Sequence, residues 1–320
     1  MSSQISLQQA PGPKHETGTV TGGLADMSGE GGTLLQISDP HFGTEQPGAV
    51  DALVRLVQRR QPALVLLSGD ITQRATARQF EAARQFVQRL SPVPVLAIPG
   101  NHDIPLWALW ARVWAPYGRY EKAFGRVRDG EFAAAHWHVV ALNTTRPWRH
   151  KNGEVSARQV ADTAARLRAA EPTAVKVVVT HQPVAVPDGT DPVDRLRGAA
   201  AAVAAWHAAG ADLVLGGHIH LPCVLPLHAA PRPMWGVQAG TALSTRVRGT
   251  TLNSVTELLS RPTADGRSCV VRFWDWAVGQ SDFKARAALV LPLKASPEAP
   301  LQNPLATPMK APLTRPAPLA

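Results

Sequence analysis

The chain has 320 residues, and 45 % of them are hydrophobic, which is enough for a buried core and argues against an intrinsically disordered protein. Its formal net charge is +9, but the 33 Lys and Arg residues are spread along the chain instead of forming one basic stripe, so nucleic acid is a disfavoured partner. The most apolar stretch, residues 199–215, is mainly alanine and contains His207 and Asp212, so the sequence predicts no transmembrane segment.

The two ends of the chain differ in composition from the part between them. Residues 1–32 have few apolar side chains and no periodicity, and proline recurs throughout residues 292–320. Neither segment can build a core, so both are predicted to be disordered. The sequence therefore predicts one folded domain over residues 33–291, without a linker or an internal repeat.

Within this domain, short apolar runs alternate with segments of helical periodicity. Strands are predicted at residues 34–37, 64–67, 95–98, 137–142, 175–179 and 213–215, with strand-like pieces at 235–238 and 269–274. Helical spacing predicts a helix that ends before Pro62, and capping boxes at Thr76 and Ser156 predict the starts of two more helices. This alternation indicates an α/β fold with a mixed sheet, or two packed sheets flanked by helices.

Five of the predicted strands are followed by residues that can bind a metal ion. These segments are Asp39-Pro40-His41, Gly69-Asp70, Gly100-Asn101-His102-Asp103, Thr180-His181-Gln182 and Gly216-Gly217-His218-Ile219-His220. Taken singly, each has an ordinary explanation, because Asp and Asn are common in turns and a lone histidine is more often a buried, hydrogen-bonded side chain. Because sites in open α/β sheets form beyond the carboxyl ends of the strands, five such ends in order predict a common site.

The residue types in this set indicate the class of metal. Imidazole with carboxylate and amide oxygen, and without cysteine, suits Mn, Fe, Zn or Co. Two such ions about 3.5–4 Å apart can orient a phosphate, acidify a bridging water and stabilise the charge of an in-line displacement. The donor set is therefore compatible with a centre of two divalent transition metal ions that acts on a phosphate ester.

These five motifs together resemble those of the calcineurin-like metallophosphoesterases, over residues 34–276. The resemblance implies a four-layer sandwich of two mixed β-sheets flanked by helices. It implies that the first metal is held by Asp39, His41 and His220, that Asp70 bridges the metals, and that the second metal is held by Asn101, His181 and His218. It also implies that His102 acts over the substrate as a general acid or electrostatic partner, oriented by Asp103.

Within that family the chain looks most like the bacterial class III cyclic nucleotide phosphodiesterases. This resemblance implies attack of a metal-bridging hydroxide on a small phosphodiester such as a cyclic nucleotide. The chain departs from that group at Asn143-Thr144, where those proteins typically have Asp-Ser. Rival interpretations are a superfamily member that acts on a lipid-linked pyrophosphate or on nucleic acid, and a non-catalytic scaffold, which would have lost ligands that this chain keeps.

Three segments are candidates for substrate binding. Trp107, Trp110 and Trp114 recur at helical spacing, which is typical of core packing but also compatible with an apolar wall for a nucleobase or an acyl chain. Of these, Trp107 is the candidate substrate residue. Arg149 and Arg246 offer cations for a substrate phosphate, although a solvated loop and a simple turn explain their segments about equally well.

The two cysteines, Cys223 and Cys269, lie in apolar stretches outside any C-x-x-C pair, which predicts buried thiols in a reducing compartment. The first 31 residues lack the apolar segment of a secretory signal. Both observations predict a cytoplasmic protein. The sequence leaves the oligomeric state open.

Overall fold

A computed structural model of the chain describes residues 32–293, except 107, 128, 150, 229–231 and 264–265. In chain order its strands are β1 (Thr33–Ile37), β2 (Leu64–Ser68), β3 (Val95–Ile98), β4 (Gly130–Ala134), β5 (Trp137–Ala141), β6 (Val175–Val179), β7 (Leu213–Gly216), β8 (Cys223–His228), β9 (Met234–Gln238), β10 (Asn253–Thr263), β11 (Gly266–Trp276) and β12 (Lys284–Pro292). Its α-helices are α1 (Pro47–Arg60), α2 (Ala77–Arg89), α3 (Leu109–Trp114), α4 (Gly118–Phe124), α5 (Ala157–Ala169) and α6 (Ala199–Ala208).

The strands form two six-stranded mixed sheets. The first has the order β12-β11-β10-β1-β2-β3 and the second the order β4-β5-β6-β7-β9-β8. β1, β2 and β3 are parallel to one another in the first sheet, and β5, β6, β7 and β9 are parallel in the second. The remaining pairs are antiparallel. Each sheet thus has a parallel portion whose carboxyl ends meet at one edge.

Three buried apolar clusters separate four layers. The first cluster packs α1 and α2 against the first sheet and includes Leu53. The second lies between the two sheets and includes Trp137, and the third packs α5 and α6 on the second sheet around Trp206. The predicted sandwich of two mixed sheets between helices is therefore confirmed.

Two helices begin where capping boxes were predicted. The backbone N–H of Gln79 donates to the side chain of Thr76, and that of Gln159 donates to Ser156, both at 3.2 Å. In each case the glutamine side chain closes the box by accepting from the capping residue's backbone. A local sequence signal is sufficient here because all partners lie within one helical turn.

The segment after the Asn-His-Asp motif differs from the core-packing interpretation. It forms two short helices, α3 and α4, with Pro116 between them. Trp110 is 80 % exposed and Trp114 is 77 % exposed, so packing against the core is the wrong explanation for these two side chains. Their i, i+4 spacing places them on one helix face, as predicted, but the face points to solvent.

The folded part extends two residues beyond the predicted boundary at residue 291. Pro292 ends β12, and Leu293 is buried. The rest of the two segments predicted to be disordered lies outside the described residues, apart from Gly32. In the described ranges, no helix has the length and apolar character needed to span a membrane. Both cysteines are free thiols, with Cys269 buried and Cys223 half-buried.

Candidate metal centre

The predicted metal-binding residues come together at the edge where the carboxyl ends of the parallel strands of both sheets lie. Gln36 links the two sheets there. Its side-chain amide donates to Ser68 Oγ in the first sheet at 2.9 Å and to the Gly216 carbonyl in the second sheet at 3.0 Å. Asp39, Asp70 and Asn101 follow strands of the first sheet, whereas His181, His218 and His220 follow strands of the second. The site is therefore built across the interface between the sheets.

The first group of ligand atoms belongs to Asp39, His41 and His220, and these atoms all lie within 4.8 Å of one another. His220 Nε2 is 3.1 Å from Asp39 Oδ1 and 3.2 Å from His41 Nε2. Asp39 Oδ2 accepts hydrogen bonds from Ser38 Oγ at 2.6 Å and from the backbone N–H of His218 at 3.0 Å. Oδ1 is buried and accepts no hydrogen bond from the described part of the chain, so it is available to a cation.

The second group comprises Asp70, His181 and His218. His181 Nε2 lies 3.2 Å from Asp70 Oδ1 and 3.3 Å from Asn101 Oδ1. Both ring nitrogens of His218 are buried and have no hydrogen-bond partner within the ranges that the structure describes. A buried polar group without a partner costs about 1–3 kcal/mol, and a metal ion would remove that cost. The donor set therefore fits a cation.

Asp70 is the carboxylate that connects the two groups. Its Oδ1 faces His181, and its Oδ2 lies 3.9 Å from His41 Nε2 in the first group. A third group of neighbouring ligand atoms joins His41 and Asp70 to His102. One carboxylate with an oxygen towards each triad is the arrangement that two adjacent cations require.

The orientation of two imidazole rings is set by backbone carbonyls. His181 Nδ1 lies 2.9 Å from the Ser68 carbonyl, and His220 Nδ1 lies 2.7 Å from the Arg246 carbonyl. A carbonyl only accepts, so Nδ1 carries the hydrogen and donates. Nε2 of each ring is then directed to the site, which is the usual arrangement for a metal-binding histidine.

The backbone is strained at this centre. Of the seven non-glycine residues with positive φ in the described part of the chain, five belong to the predicted ligand set: Asp39 (51°), His41 (46°), Asp70 (48°), His218 (70°) and His220 (56°). Left-handed conformations of such residues persist only when the surrounding structure enforces them, and they cluster at functional sites. The backbone after these strands therefore adopts conformations of higher local energy that place the candidate ligands at the site.

Electrostatics keep both carboxylates ionised. Burial by itself raises the pKa of Asp39 and Asp70, but nearby histidines outweigh it, and the pKa of each group lies below its ordinary value. The main opposing charge is His220 for Asp39 and His181 for Asp70. For His181, burial acts in the opposite direction and would lower the pKa, but the neighbouring Asp70 carboxylate raises it to about 9. In the absence of cations a proton thus occupies part of the space that a cation would take.

Two other histidines are kept neutral. Burial lowers the pKa of His41 to about 3 and the pKa of His218 to about 4. A neutral imidazole is the form that donates a lone pair to a metal ion. Each half of the centre therefore has one carboxylate and one histidine already in the protonation state that a cation needs.

His102 is held differently from the predicted ligands. Its Nδ1 lies 2.8 Å from the Gln73 carbonyl, and its backbone N–H donates to Asp70 Oδ1 at 2.8 Å. Its Nε2 is 3.2 Å from a guanidinium nitrogen of Arg246. The ring therefore lies beside the candidate metal ligands with Nε2 directed at a cation from another segment.

The prediction that Asp103 orients the His102 ring is wrong in detail. The Asp103 carboxylate accepts hydrogen bonds from the backbone N–H groups of Gly100, Ile71 and Thr72, at 2.7–3.0 Å. Burial, reinforced by the charge of Asp70, raises the pKa of Asp103 to about 6. Asp103 thus joins the loops after β2 and β3, while the ring of His102 is oriented by the Gln73 carbonyl.

The three predicted substrate residues have different surroundings. Arg246 reaches the centre, where its Nη1 lies 3.1 Å from Gln73 Oε1 and 3.4 Å from His41 Nδ1. Arg149 forms an ion pair with Glu154 at 2.8 Å, and no contact joins it to the candidate ligands in the described part of the chain. Trp107 lies outside the described residues.

Sequence reasoning missed three residues that adjoin the centre. Gln73 orients His102, Ser38 hydrogen-bonds Asp39, and Asp194 Oδ1 lies 3.9 Å from His218 Nε2 and 2.5 Å from Lys151 Nζ. Ser38 directly precedes a predicted ligand and was within reach of a motif-based argument. Gln73 and Asp194 lie in loops whose sequences carry no such signal.

Comparisons with known proteins agree with this geometry. The sequence model of the family described as calcineurin-like phosphoesterase matches residues 32–222. A Synechococcus sp. protein described as a "Probable cyclic nucleotide phosphodiesterase" is 27 % identical over 140 residues, which cover 39 % of this chain and 50 % of the relative. The matched part of the chain thus spans about half the length of that relative.

Two solved structures share the fold. A dimetal phosphatase from Danio rerio superposes with a TM-score of 0.55 at 15 % identity, covering 82 % of this chain and 99 % of the other. A purple acid phosphatase from seeds of yellow lupin (Lupinus luteus) gives a TM-score of 0.59 at 12 % identity, covering 85 % of this chain and 57 % of the other. At these identities the likeness concerns the fold.

Proposed function

Because the chain belongs to the calcineurin-like phosphoesterase family, which it matches over residues 32–222, we propose that it hydrolyses a small phosphodiester, such as a cyclic nucleotide, at a centre for two divalent metal ions. Family membership by itself supports the coarser assignment, a metal-dependent phosphoric ester hydrolase. The observation that carries the proposal is a pair of triads that Asp70 connects, with one carboxylate oxygen towards each, and buried atoms of Asp39 and His218 that have no hydrogen-bond partner among the described residues.

We assign the ligands as follows. Asp39, His41 and His220 would hold one ion, Asn101, His181 and His218 would hold the other, and Asp70 would contribute to both. When bound, two such ions would lower the pKa of a water molecule and stabilise negative charge on the phosphoryl group. The identity of the metals, among Mn, Fe, Zn and Co, is set by availability as much as by this mixed nitrogen and oxygen donor set.

His102 and Arg246 divide the remaining work. The Gln73 carbonyl accepts from Nδ1 of His102, which fixes the orientation of the ring. The guanidinium of Arg246, now 3.2 Å from His102 Nε2, would turn to a phosphoryl oxygen when substrate binds. Nε2 would then be free to carry a proton to the leaving oxygen.

The substrate class rests on two supports. The Synechococcus relative is described as a cyclic nucleotide phosphodiesterase, and the assigned residues include both an acid for an alkoxide leaving group and a cation for a phosphate. Binding of the substrate by Trp107 and Arg149 remains a proposal, and for Arg149 it requires the ion pair with Glu154 to open. The retention of all seven predicted ligands disfavours a non-catalytic scaffold.

A substrate panel tests this assignment. Purified protein supplied with Mn²⁺ would be assayed on phosphomonoesters, linear diesters, cyclic nucleotides, nucleic acid and lipid pyrophosphates. We expect the highest kcat/KM for a small diester. If a lipid pyrophosphate or nucleic acid is hydrolysed far faster than every small diester, the proposed substrate class is wrong and the corresponding rival activity is supported.

A second experiment tests the metal centre itself. Purified protein should contain close to two transition ions per chain, and Asp70→Asn should lose both metal and activity because it removes the carboxylate charge that lies between the two triads. Asp212→Asn is a matched control, since Asp212 is also a buried carboxylate but contacts Arg232 and the backbone of Lys176. Metal analysis and the diesterase rate would be measured on all three proteins. Full turnover by metal-free protein or by Asp70→Asn contradicts the two-metal centre.

A further inference from the structure

Large apolar side chains are exposed together on α3 and on a neighbouring loop. Trp110, Val113, Trp114 and Trp148 are 72–80 % exposed, and Leu106 is 38 % exposed. We call these five residues the tryptophan patch. Residues 110, 113 and 114 share one face of α3. Surface apolar residues scattered singly need no explanation, but a contiguous group marks an interaction site.

Two hydrogen bonds join α3 and the residue after Pro116 to the loop that carries Trp148. Arg112, in α3, donates from Nη2 to the Arg149 carbonyl at 3.0 Å. The hydroxyl of Tyr117, just after α3, lies 2.7 Å from Thr145 Oγ1. These contacts hold the residues on both sides of Trp148 beside α3. The loop that carries the exposed Trp148 is therefore fixed beside α3.

The surroundings of the tryptophan patch are basic. Residues 104–120 and 144–153 contain no Asp or Glu, and they contain Arg112, Arg119, Arg146, Arg149 and Lys151. Glu154 pairs with both Arg146 and Arg149, and Asp194 pairs with Lys151. Arg112 and Arg119 donate to backbone carbonyl groups, and no carboxylate of the described residues forms an ion pair with either. Positive charge thus remains around the apolar surface.

We propose that the tryptophan patch docks the protein on the surface of an anionic lipid membrane. Tryptophan places its apolar ring at the boundary of the acyl chains and its N–H among the headgroups, and arginine at the rim binds lipid phosphate. Exposed aliphatic and aromatic side chains beside uncompensated cations are the features that hold an interfacial helix on such a surface. The proposal is independent of the metal centre, because no patch side chain contacts a proposed ligand among the described contacts.

Two other occupants fit the patch less well. In a two-fold dimer the same patch would face itself, which would bring two basic surfaces together. Single-stranded nucleic acid would stack on tryptophan and pair with arginine, but it would leave Val113 and Leu106 without an apolar partner. A lipid surface satisfies both the aliphatic side chains and the positive charge.

Co-sedimentation with lipid vesicles tests the proposal. The full chain should bind vesicles of phosphatidylcholine with phosphatidylglycerol, bind phosphatidylcholine alone more weakly, and lose affinity as salt is raised. Val113→Ser, and separately the double change Trp110→Ser with Trp114→Ser, should weaken binding, the latter by about tenfold or more because the buried apolar area falls. Val278→Ser is the matched control, since Val278 is 82 % exposed but lies between β11 and β12, at the opposite edge of the first sheet from β3.

Thermal unfolding and hydrolysis of a small soluble diester would be measured on the same variants, and both should be near the wild-type values because the changed side chains are exposed. Absence of binding by the wild-type chain to anionic vesicles overturns the proposal, as does equal binding by the tryptophan variants. Binding of a single-stranded oligonucleotide, or formation of a dimer, that these variants lose while vesicle binding is absent would assign the patch to the corresponding partner instead.

Discussion

His102 and His181 both lie at the candidate metal centre, but their ring nitrogens have different partners. His181 Nε2 faces Asp70 and Asn101, the atoms of a cation site. His102 Nε2 faces the guanidinium of Arg246, and its Nδ1 faces a backbone carbonyl. The same residue type therefore has two proposed roles, one in holding a metal and one in proton transfer.

This difference predicts different effects of two alanine substitutions. His102→Ala should keep both metals but lose on the order of 10²–10⁴ in kcat, because only proton transfer and charge stabilisation are removed. His181→Ala should lose metal as well as activity. Metal content per chain and kcat on the preferred diester would be compared for the two variants.

The leaving group gives an internal control for His102. A nitrophenolate ester needs little protonation when it leaves, so His102→Ala should lose less activity on it than on an ester of an alkoxide. The assignment of His102 fails if its alanine variant loses as much metal as His181→Ala. It also fails if the variant loses the same factor in rate on both esters.

At the scale of the elements, the ends of β2 and β3 meet too closely to admit a side chain. A Cβ placed on Gly100, after β3, would overlap the backbone nitrogen and Oδ1 of Asp70, after β2. The φ of Gly100 is −101°, which any residue adopts, so close approach and not backbone freedom requires glycine here. The glycine before Asn101 thus allows two strand ends to bring their ligands together.

Gly100→Ala should therefore displace Asp70 and weaken metal binding at both proposed sites. Overpacking costs about 1–3 kcal/mol of unfolding free energy, and a displacement of about 1 Å at a catalytic group can cost about 10² in rate. Gly118→Ala is the control, because its added Cβ would meet Ala115 at an ordinary 3.4 Å. Metal content, kcat and urea unfolding would be measured on both variants. Retention of metal and rate by Gly100→Ala would show that the strand ends adjust without loss.

At the scale of the whole molecule, the centre joins the two sheets. Asp39, Asp70 and Asn101 extend from the first sheet, whereas His181 and His218 extend from the second. Cations bound by both sets would cross-link the sheets at the edge where their parallel strands end. Binding would then be coupled to the stability of the entire fold and not to one loop.

Metal binding should accordingly stabilise the protein against unfolding. A ligand at 100 times its Kd, bound only by the folded state, adds about 2.7 kcal/mol, which corresponds to about 5–10 °C in Tm for a domain of this size. Thermal unfolding of chelator-treated protein would be recorded with and without Mn²⁺. Asp70→Asn should show a much smaller rise, and an equal rise in this variant would place the stabilising ions elsewhere.

Much of the fold and most of the candidate site could be predicted because their signals are local. Parallel strands such as β2 are fully buried and appear as apolar runs, and capping boxes at Thr76 and Ser156 involve contacts within one helical turn. Of the strands that the sequence did not predict (β4, β8, β10 and β12), the first two lack such signals. β4 is largely exposed, and β8 contains Pro226, so their pairing depends on neighbours distant in sequence.

The sequence by itself determined which residue types follow which strands, since motif order and strand order are both properties of the chain. Only the tertiary structure decided which atoms of those residues face one another. It turned Asp103 to the backbone and not to His102, paired Arg149 with Glu154, brought Arg246 to the centre, and directed Trp110 to solvent. The physical reason is that side-chain direction and burial depend on packing between segments far apart in sequence, whereas periodicity and capping depend on residues within a few positions of each other.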